Sequence, residues 1–143
     1  MQVFGVDVGG SGVKGAPVDL TTGMLAADRT RIPTPKPSTP EAVTDAIVEI
    51  VASHDWSGPI GVTLPGVVIG GVLETAANID DGWIGVNVAE LLGNRLGMPV
   101  TVLNDADAAG LAEVTYGAAK GESGVVIVLT FGTGIGSAYL YQG

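Results

Sequence analysis

Val3-Phe4-Gly5-Val6-Asp7-Val8-Gly9-Gly10-Ser11-Gly12-Val13-Lys14-Gly15-Ala16-Pro17-Val18 governs how the rest of the chain reads. A short apolar run ends on glycines and a second apolar run resumes directly after them, the pattern of a strand, a tight turn and a returning strand. Gly10, Gly12 and Gly15 also satisfy the G-x-G-x-x-G spacing of a dinucleotide-binding loop, which would point to an oxidoreductase. That loop must open a helix. Here Gly15 and Pro17 interrupt the segment that follows, while Val13, Ala16 and Val18 suit a strand, so the hairpin is the preferred reading.

Working outward, residues 19–23 supply the next turn and residues 24–32 are expected to form a third strand. Pro33, Pro35, Pro37 and Pro40 then make an extended connector that cannot be helical. Thr39-Pro40-Glu41 is a helix start, with a hydroxyl cap, a proline in the first turn and an acid near the positive end of the dipole. Val43, Ile47, Ile50 and Val51 recur at helical spacing, and the helix must stop by Gly58-Pro59. Residues 60–64 form a short apolar strand turned by Pro65-Gly66. Asn87 with Glu90 opens a second helix that Gly97 and Pro99 close. A strand over residues 100–103 leads to Asn104-Asp105, which starts an alanine-rich helix expected to end at Gly117. Two apolar strands, residues 125–131 and 135–141, flank a glycine turn.

Strands first, then strands alternating with helices, imply a mixed α/β sheet with helices on its faces. Asp7-Val8-Gly9-Gly10 is echoed by Thr130-Phe131-Gly132-Thr133, each a strand, a small-residue turn and a return strand. The echo suggests a duplicated fold whose second copy has only begun.

The chain has 143 residues, enough for one domain or for one lobe of a two-lobed enzyme. Its 46% hydrophobic and 15% charged content is globular. No stretch approaches the roughly 20 apolar residues of a membrane span. There are no cysteines, so disulfides and thiolate metal sites are absent and no zinc is expected. The first residues lack a secretory signal, and a cytoplasmic protein is expected. A formal charge of −9 argues against general electrostatic attraction to nucleic acid. A polyanionic partner would need a local cationic patch, for which Lys14, Arg29, Arg31 and Lys36 are the candidates. A solvated edge is the plainer reading of those four.

Three constellations carry chemistry. The first glycine turn, Gly9, Gly10, Ser11 and Gly12 with Lys14, can gather backbone N–H groups around a phosphate, and Asp7 beside it could hold a magnesium ion through water. Gly132, Thr133 and Gly134 offer a second anion cradle with a hydroxyl at its centre. Tight turns that need only the freedom of glycine are the plain alternative for both. Asn104-Asp105-Ala106-Asp107 lies at a strand-to-helix junction, where capping alone would explain Asn and Asp. A carboxylate there could also accept the proton of a sugar hydroxyl, as phosphoryl transfer to alcohols requires. Asp107 is read as support for the first helical turn.

The segment from Phe4 to Gly15, then Leu64-Pro65-Gly66, Asn78 with Trp83, Asn104-Asp105-Ala106, and Thr130-Phe131-Gly132-Thr133-Gly134-Ile135-Gly136, taken in order, resembles the landmarks of ROK sugar kinases over the whole chain. Within that family, Thr34-Pro35-Lys36-Pro37-Ser38-Thr39-Pro40 and Thr75-Ala76-Ala77-Asn78-Ile79-Asp80 look most like the polyphosphate glucokinases, some of which also use ATP. The resemblance implies an actin-like, two-lobed fold with the sugar in the cleft. On this view residues 1–117 form the N-terminal lobe and residues 118–143 the first hairpin of the second. Asp105 would be the general base for the glucose 6-hydroxyl. Asn104, Asn78, Pro65 and Gly66 would contact the sugar, while Gly9 to Gly12 with Lys14, and Gly132 to Gly134, would hold polyphosphate or ATP with Mg2+. Ser11 replaces the threonine most common in the family and keeps its hydroxyl.

Further sugar ligands of the family, a glutamate and a histidine motif, lie beyond the second phosphate loop. His54 does not match that motif and is read as a surface or boundary residue. The resemblance therefore implies that this stretch alone has negligible kinase activity, exposes apolar sheet surface, and belongs to a longer chain that is a homodimer. The competing readings are a sugar-binding ROK regulator and a non-catalytic actin-like module. The hairpin beginning at residue two disfavours the first, and Asn78, Asn104 and Asp105 disfavour the second.

Overall fold

The computed structural model describes residues 1–132 and 134–141. Strands β1 (Gln2–Val8) and β2 (Val13–Asp19) pair antiparallel from Gln2 opposite Asp19 to Val8 opposite Val13. β1 is central. On its other side β5 (Ile60–Leu64) runs parallel, with Phe4 opposite Ile60 and Asp7 opposite Thr63. β8 (Val100–Asn104) continues the sheet in parallel with β5.

The third strand expected over residues 24–32 is instead two short ones, β3 (Met24–Leu25) and β4 (Thr30–Ile32), both paired to β2. The break lies opposite Ala16 and Pro17, between the Val18–Leu25 and Gly15–Thr30 pairs. Proline has no N–H to donate, so a continuous ladder is impossible there. Its carbonyl still accepts from the Ala26 N–H at 2.8 Å.

One face of the sheet carries Phe4, Val6 and Val8 of β1 with Ile60, Val62 and Leu64 of β5, all fully or almost fully buried. Helix α1 (Pro40–Ser53) covers them with Val43, Ile47, Ile50 and Val51. It begins as its sequence implies, the Thr39 hydroxyl accepting from the Ala42 N–H at 3.3 Å. His54 caps its C-terminus and meets Thr30 Oγ1 at 3.0 Å. Helix α2 (Val88–Leu96) packs Val88 and Leu92 into the same core; Asn87 caps its start and Gly97, at φ 66°, its end.

Residues that the sequence left without regular structure form a small hairpin, β6 (Val68–Ile69) and β7 (Val72–Leu73), and a 3-10 turn over Asp81–Trp83. Trp83 is buried and donates its indole N–H to the Ser38 carbonyl at 2.8 Å. The opposite face of the main sheet is poor in large side chains. Gly5, Ala16 and Gly61 leave there a shallow apolar cleft of about 340 Å³, edged by Asp7, Lys14 and Arg29.

Helix α3 (Asp105–Thr115) follows β8 directly and carries a separate two-stranded sheet, β9 (Val125–Phe131) and β10 (Ile135–Tyr141). Small residues permit the contact. A Cβ on Gly110 of the helix would lie 2.8 Å from Leu140 and 3.0 Å from Ala138, and one on Gly136 3.0 Å from the Ala106 side chain. The hairpin's outer face shows Phe131 and Ile135 at 75% and 76% exposure beside Val125, Ile127, Leu129, Tyr139 and Tyr141. That is a contiguous apolar face of the kind that soluble proteins cover.

Gly15 shows why the opening motif is a hairpin and not a nucleotide loop. Its missing side chain is filled by Ile50 and Phe4, each 2.7 Å from where a Cβ would stand. We expect Gly15→Ala to destabilise the protein by about 1–3 kcal/mol through overpacking, measured by denaturant unfolding. An unchanged midpoint would show that the core yields at this point.

Candidate functional site

Three parallel strands, β1, β5 and β8, end on the same side of the sheet, and each end continues into one of the motifs singled out in the sequence. β1 gives Gly9 to Gly12, β5 gives Pro65-Gly66, and β8 gives Asn104-Asp105. A cleft of about 510 Å³ opens over these ends. Among its walls are Asp7, Gly9, Gly10, Ser11, Lys14, Pro65, Gly66, Asn78, Asn104, Asp105, Gly132 and Gly134. Gly12 is not among the lining residues, and Thr133 falls outside the described residues. Val67, Thr75, Ala77, Thr130 and Phe131, which sequence reading did not assign to a site, complete much of the wall.

Asn104 organises the junction. Its side-chain oxygen accepts from the N–H groups of Ala106 at 2.9 Å and Asp107 at 3.1 Å, capping α3, while its amide donates to the Gly66 carbonyl at 2.9 Å. Helix start and Pro65-Gly66 turn are thus tied by one side chain. Gly66 is itself tightly held, because a Cβ there would stand 1.9 Å from the Thr75 carbonyl oxygen. Asp105 occupies the first helical position, half-buried, with Oδ1 accepting from the Ala106 N–H at 2.8 Å. Asp107 is exposed in the same first turn and points to no separate role.

The two glycine turns are alike in closure. Gly9 N–H donates to the Gly12 carbonyl at 3.0 Å, and Gly132 N–H to the Gly134 carbonyl at 2.9 Å. Asn78 lies between them in the left-handed region, φ 63°, which asparagine tolerates better than most side chains. A Cβ on Gly10 would be 2.9 Å from the Asn78 carbonyl oxygen, and one on Gly134 3.9 Å from its side-chain nitrogen.

Asp7 reaches the cleft from the sheet. Its Oδ2 pairs with Lys14 at 3.3 Å and its Oδ1 accepts from Thr63 Oγ1 at 3.0 Å. Thr63 carries no motif. Only the parallel register that sets it beside Asp7 reveals it. The four candidate cations divide: Lys14 is held by Asp7, and Arg31, its register neighbour on β4, donates to the Ser11 carbonyl at 2.9 Å. Arg29 borders the cleft on the other face and Lys36 is exposed. Among the described residues no group of three or more His, Cys, Asp or Glu side chains could cage a metal, and no helix is long and apolar enough to cross a membrane.

The sequence model of the ROK family matches residues 3–143. The chain belongs to the ROK family. It is 58% identical over 141 residues to the polyphosphate glucokinase of Mycobacterium tuberculosis, covering 98% of this chain and 53% of that protein. With the polyphosphate glucokinase of Mycobacterium leprae the identity is 55%, covering 98% and 44%. Among solved structures, the inorganic polyphosphate/ATP-glucomannokinase from Arthrobacter sp. strain KM superposes with a TM-score of 0.95 at 48% identity, covering 99% of this chain and 58% of that one. A ROK glucokinase from Streptomyces griseus, in complex with glucose and AMPPNP, gives 0.87 at 32% identity, covering 99% and 45%. The chain therefore spans about half the length of the ROK relatives it matches, and its mixed α/β architecture is part of their actin-like ATPase fold.

The Asn104 cap has a measurable consequence. Asn104→Ala removes the acceptor of two helix N–H groups and the donor to Gly66, so we expect a loss of about 0.5–2 kcal/mol, read by thermal unfolding. Unchanged stability would mean that water replaces the side chain at no cost.

Proposed function

We propose that the chain is the N-terminal part of a hexokinase-type phosphotransferase that phosphorylates glucose at its 6-hydroxyl, with inorganic polyphosphate or ATP as donor. The observation that carries this reading is the meeting of Asp105 with both glycine turns around one cleft. Its near relatives are named polyphosphate glucokinases, and a structural neighbour is named a polyphosphate/ATP-glucomannokinase.

In this reading the donor's terminal phosphates lie on the turns at Gly9 to Gly12 and Gly132 to Gly134, where backbone N–H groups donate to an anion without side-chain charge. Glucose lies against Pro65-Gly66, Asn78 and Asn104. Asp105 uses Oδ1 to stay on the helix start, which leaves its other oxygen for the proton of the 6-hydroxyl. A carboxylate is a weak base toward an alcohol in the ground state. Phosphoryl transfer has a loose transition state, and the hydroxyl becomes acidic only as its bond to phosphorus forms, so Asp105 contributes chiefly by position.

Asp7, a half-exposed carboxylate beside the first turn, fits a magnesium ion shared with the donor's oxygens, and not an all-protein cage. Bound there, the ion would neutralise donor charge. Residues 1–117 form the first lobe in this reading and residues 118–143 open the second, whose remaining mass would cover the apolar face of β9 and β10. Accordingly the 143-residue stretch by itself should turn over negligibly.

The test is Asp105→Asn in the full-length protein, assayed for glucose 6-phosphate with polyphosphate and with ATP. Loss of a positioned general base costs about 10²–10⁴ in rate, so we expect kcat to fall by at least about 100-fold with little change in the KM for glucose. Turnover like wild type with both donors would refute the assignment.

A further inference from the structure

The first glycine turn is held from behind by two residues that none of its own chemistry predicts. The Thr34 hydroxyl donates to the Gly9 carbonyl at 2.5 Å, and the Arg31 guanidinium donates to the Ser11 carbonyl at 2.9 Å. The Thr34 N–H also approaches the Ser11 carbonyl, at 3.5 Å. Thr34 is 7% exposed. Arg31 lies flat against the turn, its Nε 2.7 Å from where a Cβ on Gly12 would stand. Both come from β4 and the proline-rich connector after it.

An anion cradle built from backbone has one weakness. Each peptide that can turn an N–H toward the phosphate can also turn its carbonyl oxygen there, and glycines make that flip easy. Fixing the carbonyls elsewhere removes the choice. Among the described residues, the N–H groups of Gly10 and Gly12, which share peptide units with those two carbonyls, have no protein acceptor, and Gly10 and Ser11 line the cleft.

We propose that Thr34 and Arg31 are positioning residues for the phosphoryl donor: by binding the Gly9 and Ser11 carbonyls they keep the first turn in its anion-accepting form. Neither need touch the donor. This rests on the donor lying at that turn, as proposed above. Thr34 is the cleaner probe because it is uncharged, so its loss changes geometry and not the local field. Arg31 tests the same hold from an exposed position.

The experiment uses the full-length protein, with tripolyphosphate binding followed by calorimetry and steady-state kinetics for polyphosphate and glucose. For Thr34→Val, which keeps shape and removes the donor, we expect donor Kd and KM to rise about tenfold while the glucose KM stays within twofold. Thr34→Ser restores both. Arg31→Met should reproduce the split, and serves alone if Thr34→Val fails to fold by circular dichroism. Equal loss of glucose and donor affinity in the folded variants, or donor affinity unchanged in them, overturns the proposal. Wild-type protein that does not bind tripolyphosphate overturns the donor site itself, and this inference with it, which separates the two failures.

Discussion

Asn104 is the constraint on which the site depends. One side chain closes the start of α3 and holds the Gly66 carbonyl, and Asp105 is the next residue. Local chemistry accounts for the cap, since a strand that passes straight into a helix leaves several N–H groups without partners. The amide end does what the carboxylate of an aspartate cap could not. It donates while the oxygen accepts. Capping and site building are therefore one interaction seen from two sides, so asparagine at this position does not by itself reveal which was intended.

Much of the fold was legible because its signals are local. Thr39, Asn87 and Asn104 each cap a helix where the sequence placed one, and Gly97 takes the left-handed conformation that ends α2. The strands at residues 60–64, 125–131 and 135–141 were legible from apolar runs between turn residues. The third strand failed because the partner's Pro17, not anything within residues 24–32, interrupts it. The hairpin of β6 and β7 was missed because two-residue strands carry no period.

Of the site, the motif residues were legible and their supports were not. Thr63 matters through a register set by sheet pairing, and Thr34 through a fold that returns a proline-rich connector to a turn 25 residues earlier. Ala106 and Gly110 look like ordinary helix residues. Their role, admitting Ala138, Leu140 and Gly136 close enough to bring the second glycine turn to the same cleft, exists only once helix and hairpin meet.

Net charge explains why the supports carry such weight. The chain bears −9 overall, and of the cations beside the first turn Lys14 already faces Asp7 at 3.3 Å while Arg31 donates to the Ser11 carbonyl at 2.9 Å. An anionic ligand at this cleft would gain little from long-range attraction. What remains is the field of oriented peptide dipoles, which acts only at short range and only if the peptides face the right way. Three parallel strands deliver their ends to one crevice, the usual place for a ligand on such a sheet, but the topology does not choose between an N–H and a carbonyl at each turn. That choice falls to the residues behind the turn, and so the hydroxyl of a buried threonine bears on anion affinity in a protein otherwise poor in positive charge.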